Sequence, residues 1–138
     1  MIELRCEPSL PTKPGDSGFV QTISLLDGKQ MIGVARWHCA AVDDAGEDSG
    51  VVQVLELNVT PRHRRRGSGR RLMDGVIEQA NEFFRRRESR LKKVWIGVEQ
   101  KGQVNARAFL TAHGFHHIGG AVGLFRDQEL MVYVKSLV

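Results

Sequence analysis

The chain is short of most features that announce a function. Its 138 residues include two cysteines, one tyrosine and four prolines. No apolar run approaches the roughly 18 residues that a membrane-spanning helix needs. Cys6 and Cys39 fall in no metal-ligand spacing, and in a reducing compartment they are expected as free thiols. The opening MIELRCEPSL lacks the basic start and long apolar stretch of a secretory signal, so a cytoplasmic protein with no membrane contact is expected. His113, His116 and His117 lie close in sequence, but no acidic or cysteine ligand joins them, which argues against a metal site. A fold without disulfide or metal must rest on a packed core. At 41% hydrophobic and 26% charged, this length suffices to build one, as a single domain over residues 1–138.

What the chain has in excess is positive charge at one end. The net charge of +4 divides unevenly: residues 1–58 hold four basic and nine acidic groups, residues 59–138 sixteen and seven. Segments 62–71 and 85–93 carry six Lys or Arg each. Such a footprint suits a nucleic acid, an acidic partner or a phosphorylated ligand. The run RRRESRLKK (85–93) reads more simply as the solvated end of a helix, where basic side chains are favourable.

Residues 7–18 (EPSLPTKPGDSG) contain three prolines and two glycines, which argues against a helix. FVQTISLL and KQMIGVARWHCAAV predict two strands joined at Asp27-Gly28, and DDAGEDSG predicts an acidic loop. VVQVLELNV (51–59) is apolar nearly throughout and rich in valine, as a buried central strand requires. After it, Leu72, Met73, Val76, Ile77, Ala80, Phe83 and Phe84 recur at steps of three and four, predicting a helix over 68–87. KKVWIGVEQ (92–100) is the next strand, so strand, helix and strand form a crossover unit. NARAFLTAHGF (105–115) predicts a short helix closed by Gly114. Two strands follow, over 116–125 and 130–137.

The chemistry centres on VTPRHRRRGSGRRLM (59–73). A strand that feeds a helix through a glycine loop aims several unpaired N–H groups, and the positive end of the helix dipole, at one point. That point binds phosphate. Glycine lets an anion approach the amides, and arginine adds a fork matched to phosphate oxygens. Two familiar phosphate loops are excluded. Walker A needs a Gly-Lys-Ser/Thr that is absent, and in GxGxxG the third glycine would fall on Leu72. An exposed basic turn and a nucleic-acid contact are the competing readings of the loop.

Arg64-Arg65-Arg66-Gly67-Ser68-Gly69 fits the pattern Arg/Gln-x-x-Gly-x-Gly/Ala, and here the sequence resembles the GNAT superfamily of acetyl-CoA-dependent N-acyltransferases. LELNVTPRHRRRGSGRRLM is similar to that family's central strand, pyrophosphate loop and helix, and AFLTAHGF to its later helix ending in Gly-Phe. The resemblance covers residues 51–117. It implies an α/β fold with a mixed, largely antiparallel twisted sheet, helices on both faces and a shortened N-terminal helical region.

Acetyl-CoA would be the acyl donor and a primary amine the acceptor. The amides from Arg65 through Arg70, with Arg64, Arg66, Gly67, Ser68 and Gly69 in the same loop, would hold the pyrophosphate. Leu57 and Val59 would pair with the pantetheine arm like a neighbouring strand, and Asn105 would touch the cofactor from the facing helix. Counting back from Gly114-Phe115 puts Gln103 at that last position instead. Glu56, a carboxylate in an apolar strand, would take the proton of the amine; a structural hydrogen-bonding role is the competing reading.

The sequence also departs from the family. Leu110 stands where many members carry the tyrosine that protonates the leaving thiolate, and the only tyrosine, Tyr133, is expected to pack in the last strand. A noncatalytic acyl-CoA-binding protein is therefore one alternative, and a basic nucleic-acid-binding module another. With residues 7–18 too short and too rich in proline for the helices that usually wall the acceptor side, Leu110 and Val59 are expected to be partly exposed, and a homodimer would cover them.

Overall fold

The computed structural model describes residues 2–6, 20–39, 50–63, 67–86, 88–99, 104–125 and 128–137. In chain order the elements are β1 (Ile2–Cys6), β2 (Gln21–Asp27), β3 (Gln30–Cys39), β4 (Val51–Val59), a 3₁₀ turn (Pro61–His63), α1 (Ser68–Arg85), β5 (Lys93–Glu99), α2 (Val104–Ala112), β6 (His116–Phe125) and β7 (Gln128–Ser136). The strands form one sheet in the order β1-β2-β3-β4-β5-β7-β6. Every pairing is antiparallel except β4 with β5, which is parallel because α1 carries the chain back between them.

Boundaries follow local chemistry. The loop of the β2–β3 hairpin is Gly28-Lys29, one residue later than the predicted Asp27-Gly28, because Asp27 still pairs with Gln30. Helix α1 ends at Arg85, two residues short of the predicted end, and Glu88 beyond it takes a left-handed φ of 55°. There the Ser89 N–H donates to Phe84 O and the Glu88 N–H to Arg85 O, capping the last carbonyls. Helix α2 closes the same way at the predicted residue: Gly114 has φ 95°, the Phe115 N–H donates to Leu110 O and the Gly114 N–H to Thr111 O.

The predicted apolar stripe of α1 lies in the core. Leu72, Met73, Val76, Ala80, Phe83 and Phe84 are buried against Ile23, Leu25, Ala35, Trp37, Val52 and Val54 of β2–β4. The Trp37 indole stands edge-on to Phe83, with centroids 6.0 Å apart, and its Nε1–H donates to Gln79 Oε1 at 2.8 Å. A buried indole donor is thus satisfied from the helix that covers it. Tyr133 is buried as expected and its ring lies 5.3 Å from that of His117.

At the far end of α1, Arg85 and Arg86 are exposed and pair with Glu82. Hydrogen bonds from Arg85 and then Arg86 hold the Glu82 carboxyl below the ordinary glutamate value. This is the solvated basic helix end that the sequence implies. The proline-rich interval 7–18, with the shortened helical region expected there, lies outside the described residues, as does nearly all of the acidic loop. Among the described residues no helix is long and apolar enough to cross a membrane.

Candidate active site

The parallel pair β4–β5 is joined only from Val51↔Lys93 to Val54↔Ile96. Beyond that rung the two strands separate, although β4 runs on to Val59 and β5 to Glu99. The opening is a cleft of about 300 Å³ lined by Leu55, Glu56 and Leu57 of β4, Ile96, Gly97 and Val98 of β5, and Ala106, Phe109 and Leu110 of α2.

A bulge coincides with the point of separation. Opposite β3, Trp37 faces Val54 and Arg36 faces Glu56, which leaves Leu55 as an extra residue in β4. Val54 is buried and Leu57 packs against the core, so the two residues between them turn the other way. Leu55 is 45% exposed and Glu56 is half-buried. The bulge therefore brings Glu56 out of the core-facing set and places it in the wall of the cleft. Its Oε2 accepts a hydrogen bond from Arg36 Nη1, an ion pair with side-chain exposures of 46% and 33% for Arg36 and Glu56. Two rungs along, His38 Nε2 and Gln53 Oε1 are 2.8 Å apart.

The glycine turn opens α1, whose first turn faces the cleft-lining Phe109. Gly67 is the N-cap in the left-handed conformation, φ 77°, and no side chain caps the helix. The first intrahelical bond is from the Arg71 N–H to Gly67 O at 3.0 Å. Helix geometry then leaves the amides of Ser68, Gly69 and Arg70 without an intrahelical acceptor, directed past the helix start. Ser68 is buried, while Arg62, Arg70 and Arg71 are exposed. A Cβ built on Gly67 meets no protein atom within 4 Å, so the chain's demand for glycine here is conformational. Gly69 faces α2: a Cβ there would lie 3.4 Å from Phe109 Cε2. Arg64, Arg65 and Arg66 lie outside the described residues, as does Gln103. Asn105 lies in the first turn of α2, but its side chain is not among the described ones.

Helix α2, which walls the cleft, is tied on both sides through His113. Nε2 lies 2.9 Å from Asp74 Oδ1 on α1, and Nδ1 lies 3.1 Å from Lys135 Nζ on β7. A lysine ammonium only donates, so Nδ1 is the acceptor and Nε2–H donates to Asp74. Lys135 Nζ also donates to the His113 carbonyl at 2.8 Å.

One expectation is corrected. Leu110, expected to be partly exposed on an open acceptor side, is 1% exposed. It belongs to the buried core cluster that includes Val98, Phe115 and Tyr133, so it offers no apolar patch for a second subunit to cover. The described site brings together Glu56, Leu57 and Leu110, and sets the amides of Ser68 through Arg70 beyond the end of β4. Sequence reasoning missed Arg36 and the His113 tie. The one legible sign of Arg36 was a lone charge in an otherwise apolar strand, and its partner depends on a cross-strand register that a bulge displaces.

The family model for the acetyltransferase (GNAT) family matches residues 6–115, well over half of the chain. This chain belongs to that family. Its members use acetyl-CoA as acyl donor. Among curated proteins, mycothiol acetyltransferase of Saccharopolyspora erythraea is 39% identical over 75 residues, spanning 54% of this chain but only 22% of that protein. Among solved structures, an acetyltransferase from Elizabethkingia anophelis with acetyl-CoA bound superposes with a TM-score of 0.72 at 14% identity, covering 99% of this chain and 98% of that one. The IAA acetyltransferase of Bacillus cereus gives 0.72 at 13% identity, covering 99% and 100%. At such identities the likeness is one of fold, and the GNAT-like sheet with its helices is the architecture expected from the sequence.

Proposed function

We propose that residues 1–138 form one N-acetyltransferase domain that moves an acetyl group from acetyl-CoA to a primary amine, in the cytoplasm. The observation that carries this reading is the separation of β4 from β5 after Val54–Ile96, with a carboxylate presented by the bulge at the wall of the gap. A strand edge without a neighbour accepts an extended, amide-bearing chain, and Leu57 and Val59 are the β4 residues that would accompany the pantetheine arm. The amides of Ser68, Gly69 and Arg70, together with the arginines of the loop from Arg64 to Arg66, would take the pyrophosphate. Asn105 would approach from α2.

In this reading Glu56 receives a proton from the ammonium form of the acceptor. The neutral amine attacks the thioester carbon, the N–C bond forms and the C–S bond breaks. A backbone amide near Leu57 faces the developing oxyanion. The second amine proton goes to the departing thiolate through water, because the position of the usual tyrosine is Leu110 and Tyr133 is buried in the core.

Calorimetric titration with acetyl-CoA tests the binding half. Gly67→Val should weaken affinity by about tenfold or more, since a branched Cβ both resists φ 77° and obstructs the approach of an anion to the amides. A Gly67→Val protein that binds normally beside an Arg64→Ala protein that does not would overturn the amide cradle. A noncatalytic acyl-CoA-binding role is the second reading, favoured by Leu110. Acetyl-CoA binding with no thiol released for any amine would support it, and binding of a generic duplex in place of acetyl-CoA would support the nucleic-acid reading.

A further inference from the structure

We infer that the acceptor carries a carboxylate beside its amino group, as an α-amino acid does, and that Arg36 is the residue that selects it. The inference rests on the proposed acetyl transfer and names the class of amine that site would take.

The argument begins with the partners of Glu56. Its Oε2 is held by Arg36 Nη1, and both side chains are reachable from solvent beside the exposed Leu55. A guanidinium offers five N–H donors in a fixed fork. Among the described residues, one of them is engaged, by Glu56. Two rungs along, His38 pairs with Gln53 and draws on neither group. Glu56 in the wall of the cleft is therefore flanked on its β3 side by a solvent-exposed cation, and among the described residues each of the two has capacity to spare.

That pattern is complementary to a zwitterion. An ammonium placed on the free Oε1 of Glu56 would put a neighbouring carboxylate within reach of the open donors of Arg36, where a two-point, charge-assisted contact is available. An apolar side chain would lie toward Leu55. A polyamine meets a different surface: its second cation would face Arg36 as a like charge. An amide or a peptide N-terminus brings no carboxylate and leaves the fork unused. The reaction also clears the site. Once one amine proton has passed to Glu56 and on to water, and the other to the thiolate, the N-acetyl product has lost its cation. It then lies as an anion beside the recharged Glu56.

The test is thiol release from acetyl-CoA with the common α-amino acids, their α-amides and spermidine, using wild-type protein and Arg36→Gln. At least one amino acid should exceed its own amide in kcat/KM by about 30-fold or more. Arg36→Gln should reduce that ratio to within about threefold. Its acetyl-CoA affinity, read by calorimetry, serves as the control for folding. The inference is overturned if amides or spermidine are preferred, if the ratio survives in Arg36→Gln, or if acetyl-CoA binds and no amino acid is acetylated. Wild-type protein that does not bind acetyl-CoA would instead overturn the transfer reading, and this inference with it.

Discussion

The two ends of β4 use one strand for opposite purposes. From Val52 to Val54 it is paired with β3 on one side and β5 on the other, and Val52 and Val54 are sealed beneath α1. From Leu55 onward it keeps β3, its pairing with β5 has stopped, and it shows a carboxylate and a leucine to solvent. The change occurs within one residue, at the bulge. Under the proposed acetyl transfer, stability and chemistry are separated along the chain, so substitutions on either side of Leu55 should differ in kind as well as in size.

The largest effect belongs to the closed end. Trp37, fully buried opposite Val54, should cost about 3–5 kcal/mol when replaced by alanine, because truncation leaves a cavity under α1 and frees Gln79 from its partner. Urea unfolding reads this directly, and a loss below about 1 kcal/mol would mean the closed end does not carry the fold.

At the open end, Glu56→Gln should change stability by less than about 1 kcal/mol, since the pair with Arg36 is half exposed. Its turnover should nevertheless fall about 100-fold, with acetyl-CoA affinity kept. Equal turnover of the two proteins across roughly pH 6–9 would remove Glu56 from the mechanism.

Gly114→Ala falls between the two. A Cβ at φ 95° costs about 1–2 kcal/mol, and because Gly114 closes the helix that walls the cleft, the loss should appear in thermal stability and in acetyl-CoA affinity together. An effect on stability alone would show that α2 holds its place without that closure.

The smallest effect lies far from the cleft. The midpoint of Glu82, followed by carboxyl NMR, should fall below that of an ordinary glutamate and return to it in Arg85→Ala/Arg86→Ala. A depressed carboxylate contributes stability that is present at neutral pH and is lost as pH falls through the lowered midpoint. Activity should be unaltered by that double substitution.

The parts legible in the sequence are those that local rules determine. The apolar spacing from Leu72 to Phe84 gave the α1 face, Gly114 gave the end of α2, and the valines of 51–59 gave the central strand. The glycine loop could be read because strand, turn residues and helix are contiguous. The Arg36–Glu56 pair could not: the two residues are 20 positions apart, and a bulge decides which side chains oppose each other. The tie of His113 to Asp74 and Lys135 was hidden for the same reason, since it joins three elements across 39 and 22 positions. The misjudged exposure of Leu110 came from weighing what is missing on one side without knowing how closely α2 is held on the other.

The extra residue in β4 also sets two successive side chains on one face of the strand. Side chains alternate along a strand, yet Val54 and Leu57 both face the core across an odd interval, which only the bulge permits. Deleting Leu55 would restore strict alternation with Val54 and Leu57 still inward and Glu56 still outward, but it would remove the bulge and the local twist that goes with it. Replacing Leu55 by another residue would leave the bulge in place. The position should therefore tolerate many identities and no omission, so that the presence of a residue there matters more than which residue it is.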